Sequence, residues 1–156
     1  MAASQNHVRT GVNRGVEKIL HGILAGISVT YLATIVNYNK KKHVADILPL
    51  ANSSDGETSA QYLDIPVAKT VYLIDEWIEK FSPEFTKLDA NTKHMNTEYM
   101  KKLKEIRPKP YLRKGTVVLV AVLDRDSQAW DGTGTPYTPT TGRLHDPNDS
   151  IIIALM

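Results

Sequence analysis

At 156 residues the chain has the size of one domain. Its 42% hydrophobic and 23% charged content suits a globular core, and 19 Lys+Arg against 17 Asp+Glu excludes the one-signed charge of a protein that coats nucleic acid. With no cysteine, disulfide frameworks, thiolate metal sites and cysteine nucleophiles are excluded, which suits synthesis in a reducing cytosol.

The N-terminal MAASQNHVRTGVNRG lacks a continuous apolar run directly after a basic start, so no signal peptide is expected. The stretch Ile19–Val36 is interrupted by His21, Gly22, Gly26, Ser28 and Thr30. It falls short of the roughly 20 predominantly apolar residues of a membrane span and changes period halfway. Over residues 10–26, Val12, Val16, Ile19, Leu20, Ile23 and Leu24 form the stripe of an amphipathic helix, with Gly26 at its C-cap. From Ile27 the period becomes two. ISVTYLATIVNYN and HVADILPL predict a hairpin around the basic tip Asn39–Lys42, with Pro49 tolerated at a strand end. After the polar ANSSDGETSA, residues Gln61–Lys69 predict a third strand, with Pro66 marking an edge or bulge.

TVYLIDEWIEKF then shows helical spacing, and Ser82-Pro83 is expected to end that helix. A further helix is expected over about residues 91–106, stopped by Pro108 and Pro110. Strands return at Thr116–Leu123 and Ile151–Leu155. The expected fold is therefore α+β, mainly β with helical additions: a small five-stranded OB-type barrel. A single domain over residues 1–156 is expected, with the barrel in 27–69 and 113–156, an N-terminal helix in 10–26 and a helical insertion in 70–110. Trp77, Ile78 and Phe81 of the insertion are expected to pack on the barrel or on a neighbour.

Few side-chain constellations point to chemistry. Asp124, Asp126 and Asp131 lack the alternating oxygen ligands and distal Glu of a calcium loop, so the segment predicts a strand end turning in solvent, with Asp124 and Asp126 holding backbone amides. His145-Asp146 has no nucleophile and predicts a turn, and His7, His21, His43 and His94 show no ligand spacing. No catalytic residue, cofactor or metal is expected, and the chain is not read as an enzyme. Lys40–Lys42, Lys101–Lys104 and Arg107–Arg113, with Tyr31, Tyr38, Tyr62 and Tyr111, keep an alternative open: an OB module that binds single-stranded nucleic acid. The near-neutral total charge argues against nucleic acid as a partner. Ser127–Thr141 is too polar to hold itself in place, so it is expected to be mobile until a neighbour orders it through Trp130 and Tyr137.

KGTVVLVAVLDRDSQAW followed by GRLHDPNDSIIIA resembles the N-terminal OB-fold domain family of central-spike and baseplate hub proteins from contractile phage tails. The matching positions are Gly115, Val117–Leu123, Asp124-Arg125-Asp126, Trp130, Arg143, His145-Asp146, Asp149-Ser150 and Ile151–Ala154. ATIVNYNKKKHVADILPL and LDIPVA are similar to that family's opening strands. The resemblance spans 27–67 and 113–156 and leaves out the helical insertion. It implies a structural virion protein of the baseplate, made in the host cytoplasm and acting without catalysis. It also implies a homotrimer, contacts to tail tube, hub and spike tip, and no membrane in the assembled state. The chain ends where such spikes continue into a β-helix, so a hub module without the piercing tip is expected. The expected interface residues are Trp130, Tyr137, Arg143, His145 and Trp77.

Overall fold

The computed structural model describes residues 13–23, 27, 29–52, 56–91, 98–107 and 109–156. Residues 13–23 form a helix, α1, every residue of which is exposed. Residues 10–12 and 24–26 of the expected helix, the Gly26 C-cap included, lie outside the described residues. The elements after it are β1 (Thr30–Asn39), β2 (Val44–Pro49), β3 (Tyr62–Pro66), α2 (Lys69–Asn91), α3 (Tyr99–Ile106), β4 (Val117–Val122) and β5 (Ser150–Leu155).

The strands are short and rich in β-branched residues, and their burial alternates as a half-buried strand requires. Val118, Val120 and Val122 of β4 point inward while Val117, Leu119 and Ala121 stay half-buried. Ala33, Ile35, Ala45, Ile47, Ile65 and Ile152 complete the interior, each 0–1% exposed. Each buried Val or Ile contributes about 1.5–3 kcal/mol relative to exposure. Asn39 shapes the hairpin tip by accepting the amides of Lys41 and Lys42 at 3.1 and 3.3 Å. His43 takes a left-handed φ of 54°, so the returning strand begins one residue later than its sequence suggests. Pro49 and Pro66 both stand at strand ends.

The sheet runs β3-β2-β1-β4-β5, all antiparallel. Its register shifts three times, at Val36 in β1, at Leu63-Asp64 in β3 and at Ile153 in β5. Asp64 has φ 52° and donates its amide to Asp46 Oδ1 at 3.1 Å. Each bulge bends its strand and adds twist, and together they curl the sheet on itself. Closure comes at one parallel bridge, Val67 to Ile152, beside which the Ala68 amide donates to the Ile152 carbonyl at 2.9 Å. The result is a small α+β, partly open OB-type barrel.

The third strand ends at Pro66 and the chain turns helical at Lys69, the last residue of the predicted strand. Two expected helix limits are also corrected. α2 does not end at Ser82-Pro83 but continues to Asn91, with Pro83 inside it. A proline inside a helix removes one hydrogen bond and costs about 3 kcal/mol. Here the Ser82 hydroxyl donates to the Ile78 carbonyl at 2.6 Å, the Thr86 hydroxyl donates to the Ser82 carbonyl at 3.0 Å, and Phe81 and Phe85 bracket the site with ring centroids 6.4 Å apart. α3 starts at Tyr99 rather than near Asn91, which belongs to α2; Met95 and Pro108 lie outside the described residues. The Asp89 carboxylate accepts the Tyr99 and Met100 amides at 2.8 and 2.9 Å, satisfying donors that the α3 start leaves free.

At its base the α2–α3 hairpin is pinned by Asp75, which is 7% exposed. Asp75 pairs with Arg107 and accepts the amides of Tyr111 and Leu112 at 3.1 and 2.9 Å. Tyr72 stacks on His43 at 4.0 Å, and Glu79 pairs with Lys40 at the hairpin tip. Among the described residues, no helix is long and apolar enough to cross a membrane.

Candidate assembly interface

β4 delivers the chain to Leu123 at the end of the barrel where β1 begins, with the Val122 amide donating to the Val29 carbonyl at 2.8 Å. The chain then leaves the sheet in a long loop and returns at Ser150. What holds that loop is Asp126, fully buried. One carboxylate oxygen accepts the Gln128 amide at 2.9 Å. The other accepts the Thr140 hydroxyl at 2.6 Å and both the amide and hydroxyl of Thr141, at 3.0 and 2.9 Å. The two ends of the loop are thus clasped by one side chain, and an Arg125–Leu144 bridge closes the loop below it. The Thr140 hydroxyl first, then the Gln128 and Thr141 donors, hold the Asp126 carboxyl well below the usual carboxylate range. These bonds correct the expectation that the loop is too polar to hold itself in place.

Arg143 sits among three carboxylates. Its guanidinium lies 3.3 Å from Asp149, 3.7 Å from Asp146 and 3.8 Å from Asp126. These contacts are charge pairs rather than well-aligned hydrogen bonds: Arg143 Nε and Nη2 and Asp149 Oδ2 are buried without a hydrogen-bond partner. Asp149, 2% exposed, accepts the Ser127 amide at 3.3 Å, and its carbonyl accepts the Leu123 amide at 2.7 Å. Asp146 accepts the Asn148 amide and side chain at 2.9 and 2.8 Å, and those bonds, with Arg143 nearby, lower its pKa. His145, in a left-handed conformation, pairs with Asp124 at 3.3 Å, not with its sequence neighbour Asp146.

The clasp leaves the loop's aromatic residues facing out. Trp130 is 42% and Tyr137 38% exposed. The Trp130 indole donates to the Thr133 carbonyl at 2.8 Å, and Asp131 accepts the Thr133 amide and hydroxyl at 2.9 and 2.6 Å. Those two bonds, the hydroxyl one first, lower the Asp131 pKa. The carboxylates of Asp124, Asp126 and Asp131 therefore take three different sets of partners.

Of the residues singled out from sequence, Trp130, Tyr137, Arg143 and His145 belong to this one loop region. Trp77 does not join them. It stands on α2, 62% exposed, edge-on to Phe81 at 5.9 Å, so neither ring is buried on the barrel. Sequence reasoning missed the clasp itself, Asp126 with Thr140 and Thr141. Its signal was a threonine pair in an otherwise featureless polar loop, which local spacing cannot connect to an aspartate fourteen residues earlier.

A shallow cleft of about 340 Å³ opens at the same barrel end, lined by Val29, Tyr31, Pro49, Tyr62 and Pro147 among others. Tyr31 and Tyr62 approach to 6.1 Å there, and burial raises the Tyr31 pKa. No charged residue is among the described residues lining it.

Compared with known proteins, the chain matches no family model and no curated protein.

Proposed function

We propose that this chain is a structural virion protein, a hub or central-spike component of a contractile phage tail baseplate that works by symmetric assembly. The observation that carries the reading is the Asp126 clasp. It fixes a long polar loop to the barrel and holds Trp130 and Tyr137 half-exposed, an arrangement suited to gripping a neighbour. The positions that resemble the contractile-tail family, Asp126, Arg143, Asp146 and Asp149 among them, meet in this cluster. Partners under this reading are further copies of the chain, as a trimer, and adjacent tail proteins in the virion. The aromatic cleft at Tyr31 and Tyr62 has no cation among its described lining residues to track a phosphate backbone, which leaves the nucleic-acid alternative without a favouring observation there.

Sedimentation equilibrium of the full chain tests this, with Trp130→Ala beside it. The wild type is expected to associate into a discrete oligomer. The variant is expected to keep its circular dichroism and lose about 2 kcal/mol or more of association energy, as a buried interface anchor does. A monomer that binds oligonucleotides with an affinity falling steeply with salt would replace this reading with the nucleic-acid one.

A further inference from the structure

The net charge of +2 averages two unlike parts of the chain. Residues 101–114 hold seven of the 19 Lys+Arg but only one, Glu105, of the 17 Asp+Glu, so the remainder is acidic. Two of those seven cations serve the fold, Lys101 by pairing with Glu98 and Arg107 by pairing with Asp75. Lys102, Lys104, Lys109, Arg113 and Lys114 are exposed, and none has a carboxylate partner among the described residues. Asp55 is the one acidic residue outside the described residues, so at most one of the five can find its counter-charge there.

Tyr111 stands within this segment with its backbone held from both sides. Asp75 accepts its amide at 3.1 Å and the Thr116 hydroxyl donates to its carbonyl at 2.8 Å, yet the residue is 42% exposed. Arg113 is fixed beside it by donating from Nη1 to the Pro110 carbonyl at 2.6 Å. Both residues line an open cleft of about 340 Å³, together with Gly115 and Thr116. Gly115 has φ 86° and no atom within 4 Å of where a Cβ would stand, so the backbone there is open to close approach.

Strand register brings further cations to the same end of the barrel. The Gly115 amide donates to the Ile35 carbonyl at 2.8 Å and the Ile35 amide to the Thr116 carbonyl at 2.9 Å, shortly before β1 ends at Asn39. The hairpin tip beyond carries Lys41 and Lys42, exposed and without a carboxylate partner among the described residues. The α2 carboxylates that reach this tip are engaged, Glu79 by Lys40 and Glu76 by His43 and Lys80.

We infer that this end of the barrel binds single-stranded nucleic acid, with a base stacked on Tyr111 and the flanking phosphates held by Lys109, Arg113 and Lys114. The unpaired cations call for a polyanion, and Tyr111 selects among polyanions. Bases stack on an aromatic face set among positive charges, whereas a carboxylate-rich protein or an anionic lipid surface is recognised by charge alone. A base must be unpaired to reach the ring, which makes the strand single. The site lies at the opposite end of the barrel from the Asp126 clasp, so it goes beyond the assembly reading and is independent of it.

Fluorescence anisotropy of a labelled oligothymidylate of about 16 nucleotides, titrated with the full chain, tests this. Affinity is expected to fall with salt, with a log–log slope of about −0.7 for each phosphate neutralised. Arg113→Gln combined with Lys114→Gln is expected to make that slope shallower by about 1.4. Tyr111→Ala leaves both backbone bonds of the residue in place and is expected to weaken binding roughly tenfold at an unchanged slope. Lys87→Gln, on α2 and paired with Glu84, is expected to alter neither quantity. Absence of binding at about 50 mM salt, or wild-type affinity in Tyr111→Ala, would overturn the inference. So would wild-type chain that binds polyglutamate, a duplex of the same length, or phosphatidylserine-containing vesicles as tightly as the single strand.

Discussion

Asp126 shows how one side chain can organise a segment that has almost no apolar content. A buried carboxylate is costly unless its lone pairs are filled, and here four donors from Gln128, Thr140 and Thr141 fill them. Asp126→Asn replaces one acceptor oxygen with a donor facing these groups. We expect the melting temperature to fall by several degrees while the sheet signal in far-UV circular dichroism survives and Trp130 fluorescence shifts. The pH dependence has a definite sign. The folded-state pKa of Asp126 is depressed, so its contribution is complete above the unfolded value of about 3.9 and is lost as pH falls towards the folded one. Asp131 and Asp146 shift the same way. Wild-type melting temperature should therefore hold down to about pH 4 and drop below it, and Asp126→Asn should show a shallower drop. The separate engagement of Asp124, Asp126 and Asp131 further predicts equal melting temperatures with and without chelator. From sequence Asp126 was legible as a holder of backbone amides, those of Gln128 and Thr141, whereas Asp124, expected to do the same in solvent, pairs with Arg125 and His145 instead. That Asp126 is buried and grips Thr140 and Thr141 was not legible, because the contact depends on how the loop returns.

At the scale of elements, the strands were legible because their signal is local: period two, β-branched side chains and turn residues between them. The α2 limit was not, because the Pro83 signal is also local and was overridden. The Ser82 and Thr86 hydroxyls and the aromatic run Trp77-Phe81-Phe85 keep the helix going past the proline. The same hairpin depends at its base on Asp75. Removing that carboxylate leaves Arg107 and the amides of Tyr111 and Leu112 without their acceptor in a largely buried place. We expect Asp75→Ala to cost about 3 kcal/mol, the range for breaking a buried ion pair. Hydrogen exchange should show the loss first in α2 and α3, with β1 and β4 remaining protected. Equal loss of protection across the barrel would mean that the hairpin and barrel unfold as one unit.

For the molecule as a whole, the barrel closes through very little. β3 meets β5 at the single Val67–Ile152 bridge with the Ala68 amide beside it, and the bulge at Ile153 turns the rest of β5 aside. Ile152 thus serves twice, as a fully buried core side chain and as the residue across which the sheet closes. Ile153 next to it is 39% exposed. In the sequence the three residues Ile151–Ile153 are indistinguishable, since a run of isoleucines states a strand without stating its inward face. The closed fold separates them. Ile152→Ala is expected to cost about 2–5 kcal/mol, the transfer loss plus a cavity in a region with no slack to collapse. Ile153→Ala is expected to stay within about 0.5 kcal/mol, as exposed positions do. Urea unfolding midpoints read the difference, and a change in slope for Ile152→Ala alone would show that opening the β3–β5 seam alters the cooperativity of the barrel. Comparable losses at the two positions would instead place the register shift of β5 elsewhere and take away the account of closure.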